Sequence, residues 1–404
     1  MKGMIIAFSH FDTGGLQTLM VRMAKWCKIN AIKNILICDS SDENMISICQ
    51  KENIEILKSF KKEVIRREIS KFIEDVDETI LVTFELPEFL YFERICTKNF
   101  KGKKINHYIY NVSVSGMIYG KDFKGIIGKI IYSFYKKQVE KFYNNKQVIF
   151  MDVETQESAL NYYCIQQHEW QDIFLLPMFI SEEPQEKSTS NSKQVKSILT
   201  VARAVFPYKG YMIGLIDDFS KLCQNHDDII LEIVSFGEDI NQLKEKILQQ
   251  EPEVQKKIII FDKLSLQDIR KILKRTYVYI GMGTTVLDAA DEGVPSIVSW
   301  HSTMENICTG YFYDNPIVIG KAGEGMSGYS LLDSILLLSD KEYKRLCKKT
   351  YSVYKENYNI DIILGRLFKR RINRRKKLLT NAEYYFHCFF WTLRKLRRKV
   401  IYNK

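Results

Sequence analysis

The feature that most constrains this chain is an alternation that runs through it twice. Short apolar runs rich in β-branched and aromatic residues recur at MIIAF (4–8), NILIC (34–38), TILVTF (79–84), INHYIY (105–110), QVIFM (147–151) and IFLLP (173–177). Between them lie longer segments such as LQTLMVRMAKWCK, whose apolar residues fall at helical spacing. Continuous apolar strands alternating with helices predict a parallel sheet covered on both faces. A polar, Ser-rich stretch without periodicity, SEEPQEKSTSNSKQVK (181–196), then interrupts the pattern and reads as a linker. The alternation restarts with SILTVAR (197–203), IILEIVSF (229–236), KIIIF (257–261), YVYIG (277–281), SIVSW (296–300) and PIVIG (316–320). A chain of 404 residues exceeds one typical core. We therefore expect two doubly wound α/β domains, 1–180 and 197–345, joined by the linker 181–196 and followed by helices and a tail over 346–404.

Composition narrows the class. Hydrophobic content of 46% and charged content of 27% are those of a soluble globular protein. The nine cysteines show no CxxC pair or Cys/His cluster with metal spacing, so a reducing, cytoplasmic setting is expected rather than a disulfide framework. The apolar run in MKGMIIAFSHFDTGG is too short for a signal peptide and reads as a first buried strand. No uncharged apolar run reaches ~18 residues, so no membrane span is expected. Residues 363–404 hold 14 Lys and Arg against one acid, Glu383, so this stretch carries +13 and the rest of the chain, within a net charge of +11, is at −2. The basic character belongs to a tail.

Ligands of doubly wound sheets bind outside the carboxyl ends of the strands, so residues just after each strand carry the functional reading. SHFDTGGLQTLM (9–20) follows the first strand and opens a helix. Gly14 and Gly15 would let the backbone turn tightly and bring N–H groups against an anion, although a plain strand-to-helix turn has the same appearance. VARAVFPYKG (201–210) places Arg203 at a strand end and Lys209 at the start of the next helix. Two cations there suit a diphosphate, Arg as a bidentate fork and Lys as a point charge; two exposed loop cations are the competing reading. In IGMGTTVLDAADEGVP (280–295), Gly281 and Gly283 permit close approach of the backbone, and Thr284 and Thr285 can cap a helix. A dinucleotide fingerprint is excluded, because Val286 stands where its third glycine belongs. Asp288 falls about one turn into that helix, where an acid is also favoured simply by the helix dipole.

Taken in this order, these residues resemble a GT-B-fold glycosyltransferase of the retaining family 4 type, found in bacterial polysaccharide or glycolipid biosynthesis. The resemblance covers most of the chain and is strongest over 197–313. It implies two Rossmann-like domains facing a cleft, with the basic helical tail behind them. By resemblance, Arg203 and Lys209 hold the donor diphosphate, Gly237 in IVSFGED forms the next strand-end turn, and Gly281, Met282, Gly283, Thr284 and Thr285 contact phosphate and sugar. Asp288 would reach the ribose, ENICTGYF (305–312) stands for the downstream Glu segment, and Gly14 and Gly15 approach the reacting diphosphate and acceptor. One departure is plain. The first acid of the family's Glu-x7-Glu pattern falls on Ile280, and the second is shortened to Asp288. On the acceptor side, relatives carry a histidine near the end of a middle strand, for which His107 and Asn111 stand here. A buried, satisfied His107 is the competing reading. Glu85, just after TILVTF, is a further candidate. Asp262 and Lys263, at another strand end, carry no decodable preference for a nucleotide base.

The implied activity is sugar transfer from a nucleotide-diphosphate donor to a lipid-linked or polysaccharide acceptor, with retention, no metal and no cofactor. The departing diphosphate would help take the acceptor proton. Rate would come from positioning and from stabilised leaving-group charge, consistent with the lack of a nucleophile signature. The tail LGRLFKRRINRRKKLLTNAEYYFHCFFWTLRKLRRKV (364–400) interleaves basic clusters with aromatics, as does GMIYGKDFKGIIGKIIYSFYKKQVEKFY (116–143). Both suit an anionic membrane surface at the inner, cytoplasmic face. The competing reading packs the tail's aromatics back onto the domains. Nucleic acid is not an expected partner, since no recognised module accompanies the charge. Two other functions stay open: a non-catalytic relative serving as a membrane-associated scaffold, to which Ile280 points, and a GT-B enzyme of other chemistry such as an epimerase.

Overall fold

A computed structural model describes residues 1–166, 195–372 and 379–402, apart from Thr13, Ser115, Lys121, Asp122 and Lys124, with side chains in the last helix described through Thr392. The run IFLLP, residues 181–194 of the linker and 373–378 of the tail lie outside the described residues. The chain divides into two compact units, Met1–Ser181 with Ile363–Lys404, and Glu182–Ile362.

The first unit contains β1 (Lys2–Ala7), β2 (His10–Phe11), α1 (Gly15–Ile29), β3 (Lys33–Cys38), β4 (Ser40–Ser41), α2 (Glu43–Lys51), β5 (Ile56–Lys58), α3 (Lys62–Glu74) and β6 (Glu78–Thr83). It continues with α4 (Leu86–Asn99), β7 (Ile105–Asn111), α5 (Gly125–Asn144), β8 (Val148–Phe150) and α6 (Val153–Tyr162). Its sheet runs β5-β3-β1-β6-β7-β8 and is parallel throughout. Every residue of β6 and β7 is buried, which is why these strands read as unbroken apolar runs rather than as alternating ones. One apolar cluster joins Ile5, Ile35, Ile65, Ile69 and Phe92, and another joins Phe89, Ile109, Ile131, Tyr135 and Phe142.

The second unit contains β9 (Lys196–Val201), α7 (Tyr211–Leu222), β10 (Ile229–Val234), α8 (Ile240–Leu248), α9 (Pro252–Gln255), β11 (Ile258–Phe261), α10 (Leu266–Arg275), β12 (Val278–Gly281), α11 (Thr284–Asp291) and β13 (Ser296–Ser299). There follow β14 (Ile307–Tyr311), β15 (Met326–Ser327), α12 (Gly328–Leu336) and α13 (Asp340–Tyr358). The sheet order is β11-β10-β9-β12-β13-β14-β15, with β14 and β15 antiparallel. In both units the chain starts centrally, winds outward to one side, and returns to the far side of the first strand. The reversal leaves a crevice at the carboxyl ends of β1 and β6 in one unit and of β9 and β12 in the other.

Two sequence expectations change here. PIVIG (316–320) is no strand: it forms turns, and its Ile319 carbonyl accepts a bond from Gly283 N–H at 2.7 Å. The stretch 346–404 is not one appendage. The helix α13 begins before it, within the second unit, whereas α14 (Ile360–Lys369) and α15 (Asn381–Tyr402) carry the chain into the first. Leu364, Leu367 and Phe368 are buried there, Phe368 against Trp26, and Arg371 pairs with Glu78 at 2.9 Å. The aromatic block of the tail is largely core as well. His387 and Phe390 are buried, Phe386 packs on Phe134 at 4.8 Å, and His387 Nδ1 bonds Tyr135 Oη at 3.0 Å. Burial pushes the His387 imidazole down to about 4, so it is neutral. No helix among the described residues is long and apolar enough to cross a membrane, and no disulfide joins any of the nine cysteines.

Candidate functional site

In the second unit, four loops gather at the carboxyl edge of the sheet. The loop after β9 carries exposed Arg203 and half-buried Lys209. It is held to the loop after β10 by backbone bonds from Ala204 N–H to the Phe236 carbonyl (2.7 Å) and from Asp239 N–H to the Ala204 carbonyl (3.2 Å). The Asp239 carboxylate also accepts from Phe206 N–H at 2.6 Å. Gly237 sits where these loops touch. Its φ is +131°, and a Cβ there would lie 2.6 Å from the Ala204 carbonyl oxygen and 2.8 Å from Arg203 Cγ. Only glycine fits under Arg203 at that point. The loop after β13 closes the group, with Ser302 N–H donating to the Tyr208 carbonyl at 3.0 Å and His301 lying against Tyr208.

Neither Arg203 nor Lys209 has an acidic partner within ion-pair distance among the described residues. Burial first, and then the positive charge of Arg203, bring the Lys209 ammonium down to about 8. Two neighbouring cations without an acidic partner among the described residues suit an anion. Lys263, after β11, lies over the Phe236 ring at 5.5 Å, and Asp262 accepts from the Lys263 backbone N–H.

The turn after β12 supplies less than its sequence suggests. Gly281 and Met282 are buried, Met282 within the apolar core. Gly283 has φ +76°, but its N–H is taken by Ile319. Thr285 does not cap toward a ligand: its hydroxyl accepts from Tyr279 Oη at 2.5 Å and reaches the Val201 carbonyl at 3.4 Å, tying β12 to the end of β9. What remains is half-exposed Thr284 at the first turn of α11, where the Val286 amide is already bonded to the Gly283 carbonyl at 3.1 Å, and half-buried Asp288 one turn on. Ile280 is 0% exposed and packs in the core cluster with Ile198 and Ile297. An aliphatic residue stands there because the strand buries it. In ENICTGYF, Asn306 is buried and donates to Asp218 at 3.1 Å, while Glu305 is exposed.

In the first unit, Gly15 opens α1 and Gly14 is its extended cap, with φ −174°, a conformation open to any residue. His107 is corrected outright. It is 0% exposed, stacks on Phe89 at 4.2 Å, and bonds Glu93 at 2.9 Å and Thr83 at 3.3 Å. Its strand alternation points it into the core under α4, so it cannot touch a substrate. Asn111 is likewise fully buried, under Gly116 and within 3.5 Å of the Thr155 carbonyl. Glu85 does lie at the edge, half-buried as the cap residue of α4, and accepts from Tyr119 Oη at 3.4 Å.

Glu88, one turn further along α4, was not evident from sequence. One of its oxygens accepts from Ser9 N–H at 2.7 Å, spanning the crevice from α4 to the loop after β1. The other is buried with no hydrogen-bond partner among the described residues. Burial, reinforced by the Glu85 charge, pushes this carboxyl up to about 8, so it holds its proton at neutral pH. The available signal was an acid in the first turn of a helix that follows a strand, which the helix dipole alone also explains.

No family model and no curated protein matches the sequence. Solved structures do match in fold. A glycosyltransferase from Rickettsia africae aligns with 91% of this chain and 97% of its own at 16% identity and TM-score 0.60. A variant of Staphylococcus aureus TarM, in complex with fondaparinux, α-GlcNAc-glycerol and UDP, covers 91% and 99% at 12% identity and TM-score 0.58. Anabaena HepE, in complex with UDP-glucose, covers 91% and 98% at 10% identity and TM-score 0.56. The chain has the GT-B fold of these glycosyltransferases, two Rossmann-like α/β domains.

Proposed function

We propose that this protein is a glycosyltransferase that moves a sugar from a nucleotide-diphosphate donor to a lipid-linked or polysaccharide acceptor at the cytoplasmic membrane face, with retention. The observation that carries the reading is the uncompensated pair Arg203 and Lys209 at the β9/β12 crevice, with Gly237 fitted beneath Arg203. The UDP and UDP-glucose in the TarM and HepE structures support a donor of that class. Arg203 would grip the diphosphate through two N–H groups, Lys209 would neutralise it, and the first turn of α11 would add amides. Asp288, one turn into α11, would reach the ribose. As the bond from the sugar carbon to the diphosphate breaks, the departing phosphate oxygen takes the acceptor hydroxyl proton. The acceptor oxygen then bonds to the same face of the sugar. No protein nucleophile or metal takes part in this scheme, and rate comes from positioning and charge stabilisation. The acceptor side is assigned to the first unit, whose basic tail supports a location at an anionic membrane surface.

The test is a panel of nucleotide sugars against the purified protein, read by thermal protection and by turnover. Protection by at least one donor, lost in Arg203→Ala, is expected. If no donor protects or is consumed, the enzyme reading fails. Ile280, buried where the resemblance calls for an acid, favours a second reading, a non-catalytic relative acting as a scaffold. In that case Arg203→Ala would leave function in cells intact.

A further inference from the structure

The helix α15 leads to the carboxyl edge of the first unit's sheet. Its Asn381 bonds Arg94 of α4, Tyr384 lies with its ring centre 5.7 Å from the Arg94 guanidinium, and His387 reaches the Pro87 carbonyl. Partner numbers on α4 fall as those on α15 rise, so α15 climbs antiparallel to α4. Trp391 stands one turn past His387, a rise of ~6 Å. That brings it to the level of Glu85, the cap residue at the start of α4.

There Trp391 meets Tyr119, in the loop after β7, with ring centres 6.5 Å apart. The Tyr119 hydroxyl donates to Glu85 at 3.4 Å, so indole, phenol and carboxyl group form one contiguous row. Tyr119 is buried at its centre, whereas Glu85 and Trp391 are each half-buried. The row is fixed in place. Tyr119 N–H donates to Tyr163 Oη at 3.1 Å, its carbonyl accepts from Tyr162 Oη at 3.2 Å, and its ring lies 5.2 Å from that of Tyr135. Tyr135 in turn bonds His387, which shares a face of α15 with Trp391. One turn along α4 from Glu85, the second oxygen of Glu88 is buried without a partner among the described residues, a further polar atom that the fold does not use.

We infer that Trp391, Tyr119 and Glu85 form a subsite for an uncharged sugar ring of the acceptor. The apolar C–H face of the sugar stacks on the indole, and its hydroxyl groups donate to the Glu85 oxygens, which Tyr119 holds in position. Each group suits that ligand for a physical reason. An indole offers a large, rigid apolar face at little cost in conformational entropy, with only two side-chain torsions to fix. An ionised carboxyl group accepts hydrogen bonds and donates none, which matches hydroxyl donors and disfavours a phosphate or an acidic sugar. The inference rests on the acceptor side proposed above. It narrows that acceptor to one whose reacting end is a sugar rather than a bare lipid phosphate, and it makes the aromatic part of the tail a wall of the site.

The experiment is saturation-transfer NMR on the full-length protein with methyl glycosides of glucose, galactose, mannose and N-acetylglucosamine. Thermal protection by UDP and by the panel of nucleotide sugars is measured beside it. Wild type should bind at least one glycoside. Trp391→Ala should weaken that binding by about threefold to tenfold, and Glu85→Ala by about tenfold. Trp391→Phe should keep most of it, whereas Trp391→Leu should not. Phe and Leu both fill the space, so their contrast reads the aromatic face even where Trp391→Ala unfolds. Phe389→Ala, at an exposed site on the same helix, should change nothing. The inference is overturned if wild type binds no glycoside or if Trp391→Leu binds like wild type. It is also overturned if Trp391→Ala loses protection by a nucleotide sugar but keeps that by UDP, since the ring would then be the donor's. If glycosides bind as expected and no nucleotide protects, the proposed function falls and the sugar subsite stands.

Discussion

The two crevices share one topology and carry titratable groups of opposite kind. At the β9/β12 crevice, Arg203 and Lys209 stand without an acidic partner among the described residues, and Lys209 is pushed down to about 8. At the β1/β6 crevice stand Glu85 and Glu88, and Glu88 is pushed up to about 8. The fold explains the location of both, because the winding reverses there in each unit. It does not explain the sign. On the function proposed above, the cationic crevice is the one suited to a diphosphate; at the other, Glu88 holds its proton at neutral pH and carries no charge. Each shifted group is also one whose charged form its surroundings oppose, in one case by burial beside a like cation and in the other by burial beside a like anion.

The largest expected effect breaks the comparison at its cationic end. Arg203→Ala should lower kcat/KM by ~100-fold or more, since a group aimed at leaving-group charge acts chiefly in the transition state. Steady-state kinetics with the best donor checks this, and an unchanged value would mean that the crevice is not the donor site. Next in size, Ile280→Ala should destabilise the second unit by about 2–4 kcal/mol through the cavity it leaves, with nucleotide affinity unchanged in the variant that still folds. Denaturant unfolding and calorimetric titration separate the two; a loss of affinity at full stability would restore position 280 to the site.

The titrations sharpen the contrast further. Lys209 must be protonated to bind an anion, so affinity for a nucleoside diphosphate should fall as pH rises through about 8, approaching about tenfold per unit above it. Lys209→Gln should bind more weakly and without that slope. The smallest effect belongs to Glu88. Its folded carboxyl keeps the proton up to about 8, whereas the unfolded one releases it near 4.5. The folded state is therefore favoured most below 4.5 and loses that advantage as pH rises through about 8. Glu88→Gln should flatten this dependence and stabilise the protein at pH 8 by on the order of 1 kcal/mol. Thermal melts across that range read it, and an unaltered slope would show that the Glu88 carboxyl is ionised in the folded protein and not shifted.

Much of the fold was legible beforehand because buried parallel strands must be apolar on both faces. That requirement left β1, β3, β6, β7, β9, β10, β12 and β13 visible as runs in the sequence. PIVIG misled for the same reason. It is apolar because Val318 and Ile319 are buried, yet its backbone turns, and composition reports burial rather than pairing. The cationic pair was also legible, since Arg203 and Lys209 each sit at a fixed offset from a strand end. The acidic crevice was only half so: Glu85 could be found by that offset, whereas Glu88 could not be told from an ordinary helix-start acid.

By itself, then, the sequence determined two doubly wound halves and the ends of the strands at which chemistry belongs. Those follow from periodicity and chain order, which are local properties. Only the tertiary structure decided which side chains reach those ends. It turned His107 inward onto Phe89 and Glu93, spent Thr285 on tying two strands together, and buried Ile280 in the core. It also laid α15 against α5, 245 to 252 residues apart in the contacts they make. Each of these outcomes depends on neighbours far away in the chain, and pairings between distant residues leave no periodic mark on either partner.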